Sequence, residues 1–400
     1  MTVVNEYLFI PPDWGNSFIY RRKWQTGIQS TINGIEKRSA LLTWPRRTLS
    51  YYLSAPDYST SNLLKRKIYK NLHNVWGIPF WQDKTKLTSQ ALSGLDMLHV
   101  QSTLNRNFEA GGLCVLYGSE ILYEVKTILS FTDEEIVLSS SLAITWPIGT
   151  EVYPILKGRL KTDIGLDMNT STMAEMQIEA VEEFDDTTVK RIGDASEFLV
   201  YKGYPLFHLE SDWGKVNQTF IHPYNWNFYL GKGTTLSYFN ETDFGLKMDH
   251  VIKEKLNIQK YLDFFDGQKG RWGGFWVPSW QFDIKITDPF LATAYQLAIE
   301  PMDFPDYWLD TKAGAHLIIF WPDGSYACAG IIDASSMLLT LDEEIGKSCS
   351  ASELSRLLVC FLYFARFNQD EIQIEYLTDE IAKASLSFQT QFGTTLEVFS

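Results

Sequence analysis

The sequence predicts a mainly β protein of the α+β kind. It is written as two tandem similar units, each made of antiparallel β barrel or sandwich elements with one main helix. Three observations predict this. Apolar residues alternate with a period of two over most of both halves. Helical spacing is confined to two stretches, one in each half. Landmarks of the first half return in the same order in the second: Asp13-Trp14-Gly15 as Asp212-Trp213-Gly214, Trp81 at Trp276, and Asp133-Glu134-Glu135-Ile136 as Asp342-Glu343-Glu344-Ile345. A chain of 400 residues also exceeds one ordinary core and suits two domains of roughly 200 residues each. The expected units are 1–190 and 204–400, joined by a linker at 191–203 after the acidic run Glu182–Thr188.

In the first unit, Ile10-Pro11-Pro12-Asp13-Trp14-Gly15 reads as an extended entry and a turn. Phe18, Tyr20 and Arg22 alternate along a strand, and a polar strand from Thr26 ends at the Asn33-Gly34 turn signal. Residues 35–53 form two strands around the break at Pro45. Residues 61–76 form a helix, since Leu64, Ile68, Leu72 and Val75 share one face; Lys65, Arg66, Lys67 and Lys70 line its solvated side. From 111 to 181 the period is two again, with a hairpin turning at Gly118 and an acidic turn at Asp133-Glu134-Glu135.

The second unit repeats that order. A strand runs from Thr234 to Phe239, and a helix covers 249–265 with Ile252, Leu256, Tyr261 and Phe265 near one side. The most distinctive stretch of the chain follows: Arg271-Trp272-Gly273-Gly274-Phe275-Trp276-Val277-Pro278-Ser279-Trp280. A weaker counterpart, Val75 to Asp83, holds Trp76, Phe80 and Trp81. After an alternating strand at 282–286, a β block spans 314–388. Its first hairpin turns at Pro322-Asp323-Gly324, its segment 354–367 is strand or short helix, and a closing hairpin pairs 371–376 with 383–388.

Composition narrows the chemistry. Charged content of 21% with 45% hydrophobic residues is that of a folded globular chain. A net charge of −14 argues against a nucleic-acid-binding surface, which needs a basic footprint. Thirteen Trp, 20 Tyr and 25 Phe supply either aromatic cores or an oligomeric interface. Cys114, Cys328, Cys349 and Cys360 show no CxxC pairing and read as buried reduced thiols. The N-terminus lacks the marks of a signal peptide, and the longest apolar run, 357–365, is too short to span a bilayer, so folding in a cytoplasm without membrane insertion is expected. The six histidines form no metal motif, and Gly231-Lys232-Gly233-Thr234 lacks the spacing of a phosphate loop. No catalytic residue, metal site or cofactor is therefore expected. The interface candidates are Trp81, Arg271, Phe275, Trp276, Pro278 and Trp280.

Gly34-Ile35-Glu36-Lys37-Arg38-Ser39-Ala40, Trp44-Pro45-Arg46-Arg47-Thr48-Leu49, Phe264-Phe265, Gly270-Arg271 and Phe275-Trp276-Val277-Pro278-Ser279-Trp280 together carry a resemblance. The chain resembles the distal tail and minor tail proteins of tailed bacteriophages and gene transfer agents over some 60–80 residues of each unit. It departs from single-unit members in being duplicated, and it keeps Glu36 and Arg38 only in the first copy. Thr235 and Ser237 stand near those places in the second. The resemblance implies a non-enzymatic ring, a hub or distal tail adaptor, joining the tail tube to tip or receptor-binding proteins. Its partners would be other copies of itself, with a trimer favoured over a hexamer, the tube protein, the tape measure, and tip or fibre proteins. DNA would only pass through, past a neutral or acidic bore to which the two acidic turns are candidate contributors. Assembly would take place in the host cytoplasm and the product would be part of the virion. The competing class is a carbohydrate-binding or hydrolytic tail-tip protein, with the abundant carboxylates as acids and the aromatics as sugar platforms.

Overall fold

The computed structural model describes residues 3–31, 36–183, 192–210, 216–221 and 242–391. In the first half the elements are β1 (Glu6–Tyr7), β2 (Phe18–Lys23), β3 (Thr26–Ser30), β4 (Glu36–Ala40), β5 (Arg46–Ala55), α1 (Tyr58–Asn71), β6 (Trp76–Pro79), β7 (Thr85–Lys86) and β8 (Met97–His99). They continue with β9 (Leu113–Tyr117), β10 (Tyr123–Phe131), β11 (Glu135–Leu138), β12 (Glu151–Leu160), β13 (Leu166–Met168) and β14 (Ala174–Glu182). The second half holds β15 (Val200–Tyr201), β16 (Tyr204–Pro205), β17 (Val216–Ile221), β18 (Asp243–Lys253), α2 (Lys255–Gly267), β19 (Phe275–Pro278), β20 (Gln296–Ala298) and α3 (Phe304–Tyr307). It closes with β21 (His316–Phe320), β22 (Tyr326–Ala334), β23 (Leu338–Leu341), β24 (Leu358–Phe367), β25 (Glu371–Tyr376) and β26 (Ile381–Thr390). The fold is mainly β and the strand pairs are antiparallel, apart from β1 on β6 and the bridge Leu206–Trp276.

One pairing diagram occurs in both halves. In the first, β14 pairs β5, β13 and β12; β12 also pairs β6 and β9; β9, β10, β11 and β8 follow as neighbours. In the second, β26 pairs β18, β25 and β24; β24 also pairs β19 and β21; β21, β22, β23 and β20 follow. Even irregularities agree. A register shift between Ile128 and Ser130 of β10 recurs between Ile331 and Asp333 of β22, extruding Leu129 and Ile332 to the surface. The isolated bridges Leu87–Val100 and Ala91–Trp146 recur as Ile286–Ile299 and Phe290–Cys349.

These registers correct two sequence matches. Trp81 follows Pro79 of β6 as Trp280 follows Pro278 of β19, so Trp81 corresponds to Trp280 and not to Trp276. Trp276 stands where the first half has Gly77. A Cβ on Gly77 would lie 2.4 Å from the Tyr7 ring, so Tyr7 fills the space that an indole takes in the second half. The acidic runs also differ in place: Asp133–Glu135 turns between β10 and β11, whereas Asp342–Glu344 follows β23. Asp212-Trp213-Gly214 and the strand expected at 234–239 lie outside the described residues.

Both helices shift from expectation for local reasons. Helix α1 starts at Tyr58 because the Asp57 carboxylate caps it, accepting from the Thr60 N–H at 2.9 Å, and it ends before Val75 and Trp76, which enter β6. Residues 249–253, expected as helix, are strand: buried Met248, His250 and Ile252 continue the alternation of β18 and pair with β26. Glu254, at φ 71°, stops the strand, and Leu256 faces solvent. The segment 282–286 buries Ile284 and Ile286 without forming a regular strand: Ile286 bridges Ile299, and the Asp283 and Ile284 N–H groups donate to the Val359 carbonyl at 3.1 and 3.3 Å. At 354–367, a short 3₁₀ turn precedes β24.

The halves do not sit apart. Strand β2 pairs with β5 on one side and with β25 on the other, so a single eight-stranded sheet runs β13-β14-β5-β2-β25-β26-β18-β17. Its inner face, from Ile178 and Tyr51 through Tyr20 and Ile374 to Met248, is buried in one apolar core that spans both halves. The stretch expected as a linker at 191–203 packs onto the second half: a Cβ on Gly267 of α2 would lie 2.5 Å from the Ala195 nitrogen, and Phe198 meets Phe264 edge-on at 4.7 Å. The first half keeps a separate small core within its barrel-like block, including Leu98, Leu116, Ile136 and Trp146.

Candidate interface surfaces

The aromatic stretch after α2 is a crossing point of the two halves, and its backbone demands glycine. Gly270 has φ 68°, and a Cβ there would lie 2.7 Å from Asp370 Oδ1. A Cβ on Gly274 would lie 2.6 Å from the Phe364 ring. Asp370 gathers three donors: the Arg271 N–H at 2.9 Å, the Thr26 N–H at 2.9 Å and the Thr26 hydroxyl at 2.7 Å. Arg38, from β4, donates to the Arg271 carbonyl at 3.2 Å. Beside it Glu36 takes a two-pronged contact from Arg366, both distances being 2.9 Å. The β3–β4 hairpin of the first half is thereby fastened to β24 and the aromatic stretch of the second.

The six interface candidates separate by burial. Phe275 is sealed inside, its ring 5.0 Å from Phe264 and 4.8 Å from Phe367. Trp276 points to the opposite face, 4.6 Å from His316 and 5.3 Å from Tyr201, and its Nε1 donates to the Tyr201 carbonyl at 2.9 Å. Pro278 is buried. Trp81 is buried against Tyr153 at 4.9 Å and Tyr117 at 5.5 Å. These four are core residues of the chain. Arg271 and Trp280 retain partial exposure, Trp280 stacking on Phe320 at 4.7 Å.

Sequence reading missed the side chains that join the halves. On the inner face of β2, Arg22 makes an ion pair with Asp266 of α2, with both side chains out of solvent. Trp24 Nε1 donates to the other oxygen of Asp266 at 2.9 Å, and Arg22 Nε donates to the Tyr20 hydroxyl at 3.0 Å. Burial works against the Arg22 charge, but Tyr20 and Asp266 outweigh it and hold its pKa above the ordinary arginine value. At the start of α2, Lys255 reaches Asp83 of the first half at 2.8 Å; burial pulls the Lys255 pKa down against that partner. The signal was present, since arginine in an otherwise apolar alternation is costly unless paired. The partner's position could not be read from it.

The acidic turns behave differently from each other. Glu135 pairs with His99 on the surface. Asp342 is engaged internally, accepting from the Gly330 N–H at 2.7 Å and pairing with Lys202. Burial pushes the thiols of Cys114, Cys328 and Cys360 up to about 12, so they stay protonated at neutral pH. Among the described residues no three His, Cys, Asp or Glu side chains converge as metal ligands. No described helix is long and apolar enough to cross a membrane.

The described surface includes two depressions that bear on assembly. The outer face of the large sheet is polar and mixed in charge, with a depression of about 460 Å³ between β18, β26 and β25 flanked by Lys247, Asp249, Glu371 and Lys383. A largely apolar groove of about 620 Å³ lies between α1 and β13, lined by Ile68, Tyr69, Leu72, Ile164, Leu166 and Met176, with Lys65 and Arg66 also at its wall. No protein-family model and no curated protein matches this sequence.

Proposed function

We propose that the chain is a non-enzymatic structural component of a bacteriophage tail tip, forming a hub or distal tail ring that joins the tail tube to tip or receptor-binding proteins. The observation that carries this reading is the pairing diagram repeated in the two halves, which we attribute to tandem duplication. Homo-oligomers favour closed cyclic symmetry. Three copies of a chain with two near-equivalent units present six units, matching the six-fold tube that the resemblance to tail proteins implies. The net charge of −14 suits a ring through which DNA passes without being held. Of the two acidic turns, Asp133–Glu135 is the better contributor to such a bore, because Asp342 already serves an internal contact. The product is a virion tail part assembled in the host cytoplasm. Negative-stain electron microscopy of the purified chain tests the reading: rings with six-fold or pseudo-six-fold outline are expected, and isolated single particles of monomer size would overturn it.

A further inference from the structure

The contact between the two units inside one chain predicts the contact between chains. Strand β2 of the first unit pairs with β25 of the second, with Phe18 opposite Tyr376, Tyr20 opposite Ile374 and Arg22 opposite Ile372. The registers assign β17 as the counterpart of β2, because Tyr20 faces Leu49 as Gln218 faces Leu246. They likewise assign β13 as the counterpart of β25, because Leu166 faces Met176 as Ile374 faces Ala384. Strands β17 and β13 are the two ends of the eight-stranded sheet, and among the described residues no strand pairs with the outer edge of either.

We propose that β17 of one chain pairs antiparallel with β13 of a second copy of the same chain, carrying the sheet across the subunit boundary. Transferring the internal register places Val216 opposite Met168, Gln218 opposite Leu166 and Phe220 opposite Ile164 of the neighbour. The proposal rests on the ring reading above and names the surface that forms the ring.

What covers the two sites supports that partner. On the second unit, the place between α2 and β25 is filled from β2 by Tyr20, Arg22 and Trp24, with Arg22 and Trp24 both ending on Asp266. The helices align through their capping positions, Asp57 and Glu254, which puts Tyr69 of α1 at the place of Asp266. On the first unit that place is the open apolar groove, and Tyr69 on its rim is 94% exposed. Phe220, at the position of Arg22, is 69% exposed on the free end of the sheet. A buried ion pair inside the chain is thus answered, at the equivalent place, by a largely exposed phenylalanine, touched edge-on by Phe244 at 5.9 Å, and an open groove. Such a head-to-tail contact uses different surfaces on the two partners and generates a ring when its rotation closes.

Cysteine pairs test the register in the full chain. Residues directly opposite across antiparallel strands bring their Cβ atoms within about 4.5–5.5 Å, close enough for a disulfide at one of two adjacent pairs. Oxidation of the double variants Val216→Cys/Met168→Cys and Asn217→Cys/Asp167→Cys should give covalent species reaching three chains from at least one. The displaced pair Asn217→Cys/Asp163→Cys should give none. Phe220→Asp and Tyr69→Asp should each abolish the oligomer while leaving the far-ultraviolet circular dichroism of the chain unchanged, as both side chains are largely exposed. An equimolar mixture of these two variants should yield dimers and nothing larger, because each retains one intact edge. If the native chain is oligomeric but neither pair crosslinks and both Asp variants still assemble, this contact is wrong and the ring reading survives. If the native chain is a monomer at tens of micromolar, both fall.

Discussion

Asp266 illustrates how one carboxylate can hold two units together. It receives Arg22 and the Trp24 indole from the first half while lying on a helix of the second, fully out of solvent. Removing one partner of a buried pair leaves the other charge uncompensated, so Asp266→Ala should cost about 3–5 kcal/mol in urea unfolding. The double change Arg22→Met/Asp266→Leu should recover most of that loss, since an apolar pair of similar volume leaves no charge buried. His316 offers a second test, by pH. Burial, assisted by Lys202, lowers its pKa to about 4 from an ordinary 6.5, and the nearby Asp342 opposes that shift without cancelling it. The unfolded chain therefore binds a proton that the folded one refuses between those values. Its contribution to stability is complete above about 6.5 and is lost as pH falls toward 4. His316→Gln should flatten that part of the stability profile, and a profile identical to the parent's would contradict the assignment.

At the scale of elements, the strand before α2 ends in backbone strain. Glu254 has φ 71° and ψ 140°, a region natural to glycine, and its side chain makes no cap bond to the helix. Glu254→Gly should raise stability by about 1 kcal/mol in thermal or urea unfolding; a loss would mean that the carboxylate serves a contact of its own. This residue also shows why the sequence misled about α2. Met248, His250 and Ile252 alternate as a strand, yet Ile252 with Leu256 and Tyr261 also fits helical spacing, and no proline or glycine marks the break. Asp57 marked the earlier helix better, being an ordinary capping residue. The β blocks were legible because their alternation is long and their turns carry Gly118 and Gly324. The aromatic stretch was legible as important but not as internal. An indole fits an interface and a core equally well until the packing of Tyr201, His316 and Phe364 around Trp276 is known. The pairing of β2 with β25 joins residues far apart in the chain, and no local pattern announces it.

For the whole molecule, the two halves are neither independent domains nor one undivided core. Each carries the same diagram of strands, and β2 of the first completes the sheet of the second. The same step, repeated outward from β17 to the next chain's β13, would assemble copies without any new kind of contact. Because the internal junction is rich in ion pairs while the proposed external one is centred on Phe220 and an apolar groove, assembly should depend little on salt. Native mass measurement of the full chain at micromolar concentration decides whether copies assemble in this way. A particle of three times the 46.0-kDa chain mass that persists at raised ionic strength is expected. A single 46.0-kDa species across that range would contradict it.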